Sequence, residues 1–182
     1  MKRFVTGFTI GQRSTQIGIA QYSDTRYTKM EFSLNQYGGN KAVQRAIARM
    51  TQTPRRQSYM GHGLAFVRQN LFTPRGGDRQ KVKNIVIVIS GGATRDYGRA
   101  RNEAKLLKKQ GAIVITVGVG NYGAVQRFKG QIRGVAHGKV NAMTVTYGQL
   151  PRLVKGLAGK VCAIGGLTAP LKPQPKPGPG MI

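Results

Sequence analysis

Two apolar runs, "IVIVIS" at residues 85–90 and "AIVITVGVG" at residues 112–120, constrain this chain more than any other feature. Each is apolar at nearly every position, so neither offers a wet face. Strands of that kind belong inside a parallel sheet covered on both sides by helices. Between them "YGRARNEAKLLKKQ" reads as a helix that stops at Gly111, a residue suited to the left-handed turn after a helix end. A helix around residues 125–132, a short strand in "NAMTVTY" and a last helix from Leu150 to Cys162 continue the alternation. The fold class this predicts is α/β, doubly wound, with a mostly parallel sheet flanked by helices.

The first half of the chain is less regular. Residues 2–10 are compatible with the end of a helix, and "STQIGIAQYS" and "YTKMEFSL" read as strands joined by a turn near Asp24. Asn40 stands where a cap would start the helix "KAVQRAIARM". Val43, Ala46, Ile47 and Met50 form its apolar stripe, and Lys41, Arg45 and Arg49 lie on or beside its wet face. A second helix is expected from Gly63 to Leu71. The end of the chain changes character: residues 165–182 hold five of the eight prolines and read as an extended, polyproline-like tail. The expected organisation is one domain over residues 1–164 followed by that tail.

Charge narrows the choice of partners. Thirty Lys and Arg face five acids, for a formal net charge of +25. The acids are Asp24, Glu31, Asp78, Asp96 and Glu103. A field of that sign attracts polyanions such as sulfated polysaccharide, acidic protein, anionic lipid or nucleic acid. Basic clusters at Arg55–Arg56, Arg95–Arg99–Arg101, Lys105–Lys108–Lys109 and Arg127–Lys129–Arg133 are candidate contacts, or the solvated faces of their own helices and loops. No helix-turn-helix, aromatic RNA-binding or zinc-finger pattern accompanies them, so nucleic acid is expected only nonspecifically. No apolar run approaches the ~20 residues of a membrane span. The first 16 residues lack the apolar core and cleavage site of a secretory leader.

Enzymatic chemistry finds few candidates. General acid–base work needs paired carboxylates or a His beside an orienting acid, whereas His62 and His137 are isolated in sequence and the acids are scattered. There is no metal-ligand cluster of the His/Cys kind. Gly118, Gly120 and Gly123 match G-x-G-x-x-G after a strand. No acid follows Glu103 to hold a ribose hydroxyl, so a strand-end turn is the better reading. No cofactor is expected, and the chain is not expected to be an enzyme.

Taken together, several segments resemble a von Willebrand factor type A domain of the matrilin and collagen VI sort. "IGIAQYSDTRYTKMEFSLNQYGGNKAVQRAIARM" resembles the family's second strand, hairpin and following helix. "GHGLAFVRQNLFTPRGG" resembles its next helix and connector, "KNIVIVISGG" its fourth strand, "GAIVITVGVGN" its fifth, and "YGQLPRLVKGLAGKVC" its last helix with a closing cysteine.

The resemblance implies an extracellular adhesion module whose functional centre is a metal-ion-dependent adhesion site above the sheet. There, D-x-S-x-S, a loop Thr and an Asp at the end of the fourth strand hold Mg²⁺ or Mn²⁺ through hard oxygen ligands. Matched position by position, Ser58 stands for the loop Thr and Met60 for the following Thr. Ser90, Gly91 and Gly92 stand for T-D-G, so Gly91 replaces the carboxylate. The resemblance also implies that Met1 lies inside the family's first helix, with the first central strand and D-x-S-x-S missing. The expectation is therefore a fragment of a larger secreted matrix protein. In relatives the cysteine matching Cys162 bonds to one just before that first strand.

The expected function is a non-catalytic, extracellular matrix or adhesion module without a tight metal site. Its expected partners are acidic: sulfated polysaccharide, acidic matrix protein or collagen. Arg55, Arg56 and Arg95 are the candidate ligand-binding residues, on loops at the carboxyl edge of the sheet. The alternatives are a structural spacer whose charge drives self-association and a nonspecific nucleic-acid binder.

Overall fold

The computed structural model describes residues 2–51 and 57–165. Its centre is a three-stranded parallel sheet of β3 (Ile85–Ser90), β4 (Ile113–Val119) and β5 (Ala142–Val145), in that order. The two apolar runs supply β3 and β4, paired from Ile85 with Ile113 to Ser90 with Gly118. Their alternation shows why both had to be apolar throughout. Ile85, Ile87, Ile113, Ile115 and Val117 face one core, and Val86, Val88 and Val114 face the other. Each face carries its own helical layer, as the period-two geometry of a strand requires.

The first layer is α1 (Lys2–Val5), α2 (Asn40–Arg49) and α6 (Leu150–Ile164), contributing Val5, Val43, Leu157 and Val161. The second is α3 (Met60–Phe66), α4 (Tyr97–Lys109) and α5 (Tyr122–Val135), contributing Leu64, Leu107, Phe128 and Ile132. Burying one such side chain stabilises the fold by about 1.5–3 kcal/mol, so the two layers together hold β4 at the centre. The chain is thus α/β with a parallel sheet flanked by helices.

A separate antiparallel pair, β1 (Ile19–Gln21) and β2 (Lys29–Phe32), lies against the first core through Ile19 and Phe32. Asp24 makes its turn, where one carboxylate oxygen accepts from the amides of Arg26 and Tyr27, each at 3.1 Å. Among the described residues no backbone ladder joins β1 or β2 to β3. The sheet expected as one mostly parallel layer is therefore two sheets.

Several local expectations shift. The helix in residues 2–10 covers only Lys2–Val5. Asn40 is the first residue of α2, and its side chain does not cap that helix. Instead it donates from Nδ2 to Phe8 O at 3.0 Å, tying α2 to the segment after α1. The helix expected from Gly63 begins at Met60, and its last turn, Val67–Leu71, is a π-helix. Gly111 does end α4. At φ +81° it lets its own amide reach Lys108 O and the Ala112 amide reach Leu107 O, the paired bonds that close a helix end. α6 runs to Ile164, and residues 166–182, which hold most of the expected tail, lie outside the described residues.

Candidate functional site

The carboxyl end of β3 meets the end of β1 and the start of α3. Ser90 is buried there, and its hydroxyl donates to Gly92 O at 2.8 Å, folding the loop back on the strand. Gly91 is exposed, and a Cβ added to it would come no closer than 3.9 Å to Val119 O. Space therefore does not demand a glycine. The position would accept a carboxylate and does not carry one.

Tyr22, directly after β1, closes the site from the other side. Its ring packs across Gly63 of α3, where a Cβ would meet the Tyr22 Cβ at 2.6 Å. Its hydroxyl donates to Ile89 O at 3.2 Å, so a side chain links β1 to β3 where no ladder does. Burial raises the Tyr22 pKa above its usual value of 10.0. The neighbouring hydroxyls of Ser90 and Ser58 pull it back, and the negative charge of Asp96 adds to the rise. Ser58 Oγ is buried beside the Tyr22 hydroxyl.

The Asp96 carboxylate lies at this edge, and the fold consumes it. The start of α3 has no local cap, so its first amides need acceptors from elsewhere. Thr94 Oγ1 accepts from the Met60 amide at 2.8 Å. Asp96 Oδ1 accepts from Gly61 at 3.1 Å, and Oδ2 from His62 at 2.9 Å. Thr94 Oγ1 also donates to Asp96 Oδ1 at 2.7 Å, which fixes the carboxylate in place. A negative charge at a helix N-terminus is favourable in its own right. The Arg95 amide donates to Ser58 O at 2.8 Å, lacing the loop to the approach of α3. The Arg95 side chain remains exposed.

A divalent ion does not fit this donor set. Ser90 is turned onto its own loop, the Tyr22 proton is given to Ile89, and both Asp96 oxygens are taken by α3. Neutral hydroxyls remain, whereas Mg²⁺ wants charged oxygen ligands in near-octahedral order. Among the described residues no group of three or more His, Cys, Asp or Glu converges.

Of the residues singled out in the sequence, Ser58, Ser90, Gly91 and Arg95 belong to this one edge, and Met60 gives its amide to Thr94. Arg55 and Arg56 lie outside the described residues. Tyr22, Thr94 and the capping role of Asp96 were not foreseen. One signal was available: in a chain with only five acids, four of them serve the fold. Asp24 builds a turn, Glu31 pairs with Lys29 at 2.8 Å, Glu103 with Arg68 at 2.9 Å, and Asp96 caps α3.

The other candidates resolve structurally. Gly118 lies within β4, where a Cβ would meet Phe128 at 2.9 Å, while Gly123 lies in α5 with open space. Close packing against α5 accounts for Gly118, whereas Gly123 is under no such constraint, so the three glycines share no common role. His137 accepts the Val114 amide on Nδ1 at 3.1 Å, and its Nε2 lies 2.7 Å from Ala104 O. Through these two contacts the ring joins β4 to α4. His62 is an early residue of α3, and Cys162 is a buried free thiol. Among the described residues no helix is long and apolar enough to cross a membrane.

A parallel sheet clothed by helices on both faces, with hydroxyl-bearing loops gathered above its carboxyl edge, defines the class: a doubly wound α/β domain with its site on top. The chain belongs to the von Willebrand factor type A domain family, whose description matches residues 1–148. It is 32% identical over 166 residues to the human collagen alpha-5(VI) chain, covering 90% of this chain and 6% of that one. It is 36% identical over 119 residues to the mouse collagen alpha-6(VI) chain, covering 65% of this chain and 5% of that one. Among solved structures it is similar to proximal thread matrix protein 1 from the mussel byssus. The TM-score is 0.78 at 27% identity, over 88% of this chain and 41% of that one. The chain therefore spans a small part of the collagen relatives.

Proposed function

We propose that this domain is a non-catalytic, extracellular matrix adhesion module that binds acidic partners through a basic surface and without a divalent ion. The observation that carries the proposal is the fate of Asp96. The Asp96 carboxylate, close to the end of β3, is committed to the amides of α3, while Arg95 stands exposed on the same loop. Where a metal ion would otherwise join the module to an acidic ligand, the attraction comes from the protein's own cations. The net charge of +25 supports the same reading. So does the likeness to collagen VI chains and to a thread matrix protein, which favours an extracellular matrix setting.

Arg95, with Arg55 and Arg56, is the ligand-binding set proposed for this edge. Candidate partners are sulfated polysaccharide, acidic matrix protein and collagen. The test is binding of the 182-residue chain to immobilised heparin, polyglutamate and collagen across a salt series, with and without Mg²⁺ and a chelator. Retention that falls steeply with salt and ignores chelator is expected. Absence of retention on all three at physiological salt overturns the reading. Loss of binding on chelation overturns its metal-independence.

A further inference from the structure

The basic residues of α2 form a surface that the carboxyl-edge site does not use. Lys41, Arg45 and Arg49 recur every fourth position and are all exposed, which sets successive charges about 6 Å apart along one helical face. α1 packs beside α2 and brings Lys2 to the same place. Between the two helices lies an open groove of about 420 Å³ lined by Lys2, Lys41, Gln44, Arg45 and Ala48. Among the described residues Lys2, Lys41 and Arg45 have no acidic partner. The ion pairs among the described residues are Lys29–Glu31 and Arg68–Glu103.

We infer that the α1–α2 groove binds sulfated polysaccharide, with Lys2, Lys41 and Arg45 holding sulfate groups and Arg49 extending the track along α2. The inference rests on the reading that the domain binds acidic matrix partners, and it assigns that role a second place and a ligand chemistry. The lining decides between polyanions. It has no aromatic side chain on which an unstacked base would sit. It has no large apolar side chain to enter a lipid surface. What it offers is a linear row of unpaired cations with an amide at Gln44, suited to a flexible chain that carries repeated strong anions and hydrogen-bonding hydroxyls. Arg45 adds a planar fork that takes two oxygens of one sulfate.

The test measures binding of the 182-residue chain, of Lys41→Gln/Arg45→Gln and of Lys105→Gln/Lys108→Gln to heparin and to duplex DNA at several salt concentrations. The second pair lies exposed on α4 and removes the same charge elsewhere. All four positions are exposed, and matching circular dichroism spectra and melting curves establish that each variant is folded. The α2 variant should bind heparin roughly tenfold more weakly and lower the log–log salt slope by about 1.5, the share of two released counterions. The α4 variant should change heparin binding by less than about threefold, and the α2 variant should lose less on DNA than on heparin.

Equal losses from the two variants would show charge alone at work and overturn the site. Equal losses of the α2 variant on heparin and DNA would overturn the choice of polysaccharide. An unchanged α2 variant, with the parent chain binding heparin normally, would remove the groove and leave the adhesion reading standing. A parent chain that binds polyglutamate or collagen but not heparin would do the same. If it binds none of the three, the adhesion reading itself fails.

Discussion

The Tyr22 hydroxyl lies 3.2 Å from Ile89 O, so the two sheets of this domain are joined at their upper ends by one phenol. The residues are 67 positions apart, and no backbone bond among the described residues connects the strands they belong to. The contact has consequences for stability and for its dependence on pH.

Tyr22→Phe keeps the ring over Gly63 and removes the hydrogen bond, which should cost about 0.5–1.5 kcal/mol near neutral pH. In the folded chain Tyr22 holds its proton to a higher pH than in the unfolded chain, where it titrates near 10.0. Between those values the unfolded state has released a proton that the folded state keeps. The Tyr22 contribution is therefore complete below about pH 10 and is lost as pH rises through the folded value. Urea denaturation at about pH 8 and about pH 10.5 should show the gap between parent and variant narrowing at the higher pH. A constant gap would contradict the assignment.

Asp96→Ala leaves the amides of Gly61 and His62 without their acceptor. Bonds to a charged acceptor are worth more than neutral ones, so the loss should be about 1.5–3 kcal/mol in chemical denaturation. Asp96→Asn retains one acceptor oxygen without the charge and should fall between. A variant as stable as the parent would show that α3 does not depend on this cap.

The three-glycine pattern separates into unlike positions. Gly118→Ala drives a methyl against Phe128 and Ile132 and should destabilise by about 1–3 kcal/mol. Gly123→Ala sits in open space on α5 and should stabilise by up to about 1 kcal/mol through helix propensity. Thermal melts of the two variants should move in opposite directions. The same direction for both would revive a shared role for the pattern.

Hydrogen exchange should rank the strands by pairing. β4 is bonded on both sides, to β3 and to β5, and its residues from Val114 to Val119 are buried. Its amides should be the slowest in the molecule, and those of β1, a three-residue strand with one partner, among the fastest. Comparable protection in β1 and β4 would mean that the smaller sheet is held by more than β2 and Tyr22.

How much of this was legible in the sequence follows from how far each signal reaches. Apolar alternation is a property of consecutive residues, so β3, β4 and the helices around them could be read from the chain. The stop at Gly111 was legible for the same reason. Helix boundaries fared worse where the deciding partner lay elsewhere. α3 starts at Met60 because Thr94 and Asp96 accept its first amides from 34 or 35 positions away. Asn40 failed as a cap because Phe8 O was within its reach.

The site divides along the same line. By itself the sequence determined a doubly wound α/β chain, an acid-poor surface of +25 charge, and a strand ending in Ser90-Gly91-Gly92 without a carboxylate. Only the tertiary structure decided that Tyr22 and Asp96 join Ser58 and Ser90 at one edge, that Asp96 serves α3, and that α1 and α2 hold Lys2, Lys41 and Arg45 around one groove. The physical reason is directional. Hydrophobic patterning needs only the residue order along one element, whereas a carboxylate or hydroxyl takes its role from whichever donor the packed helices bring within 3 Å.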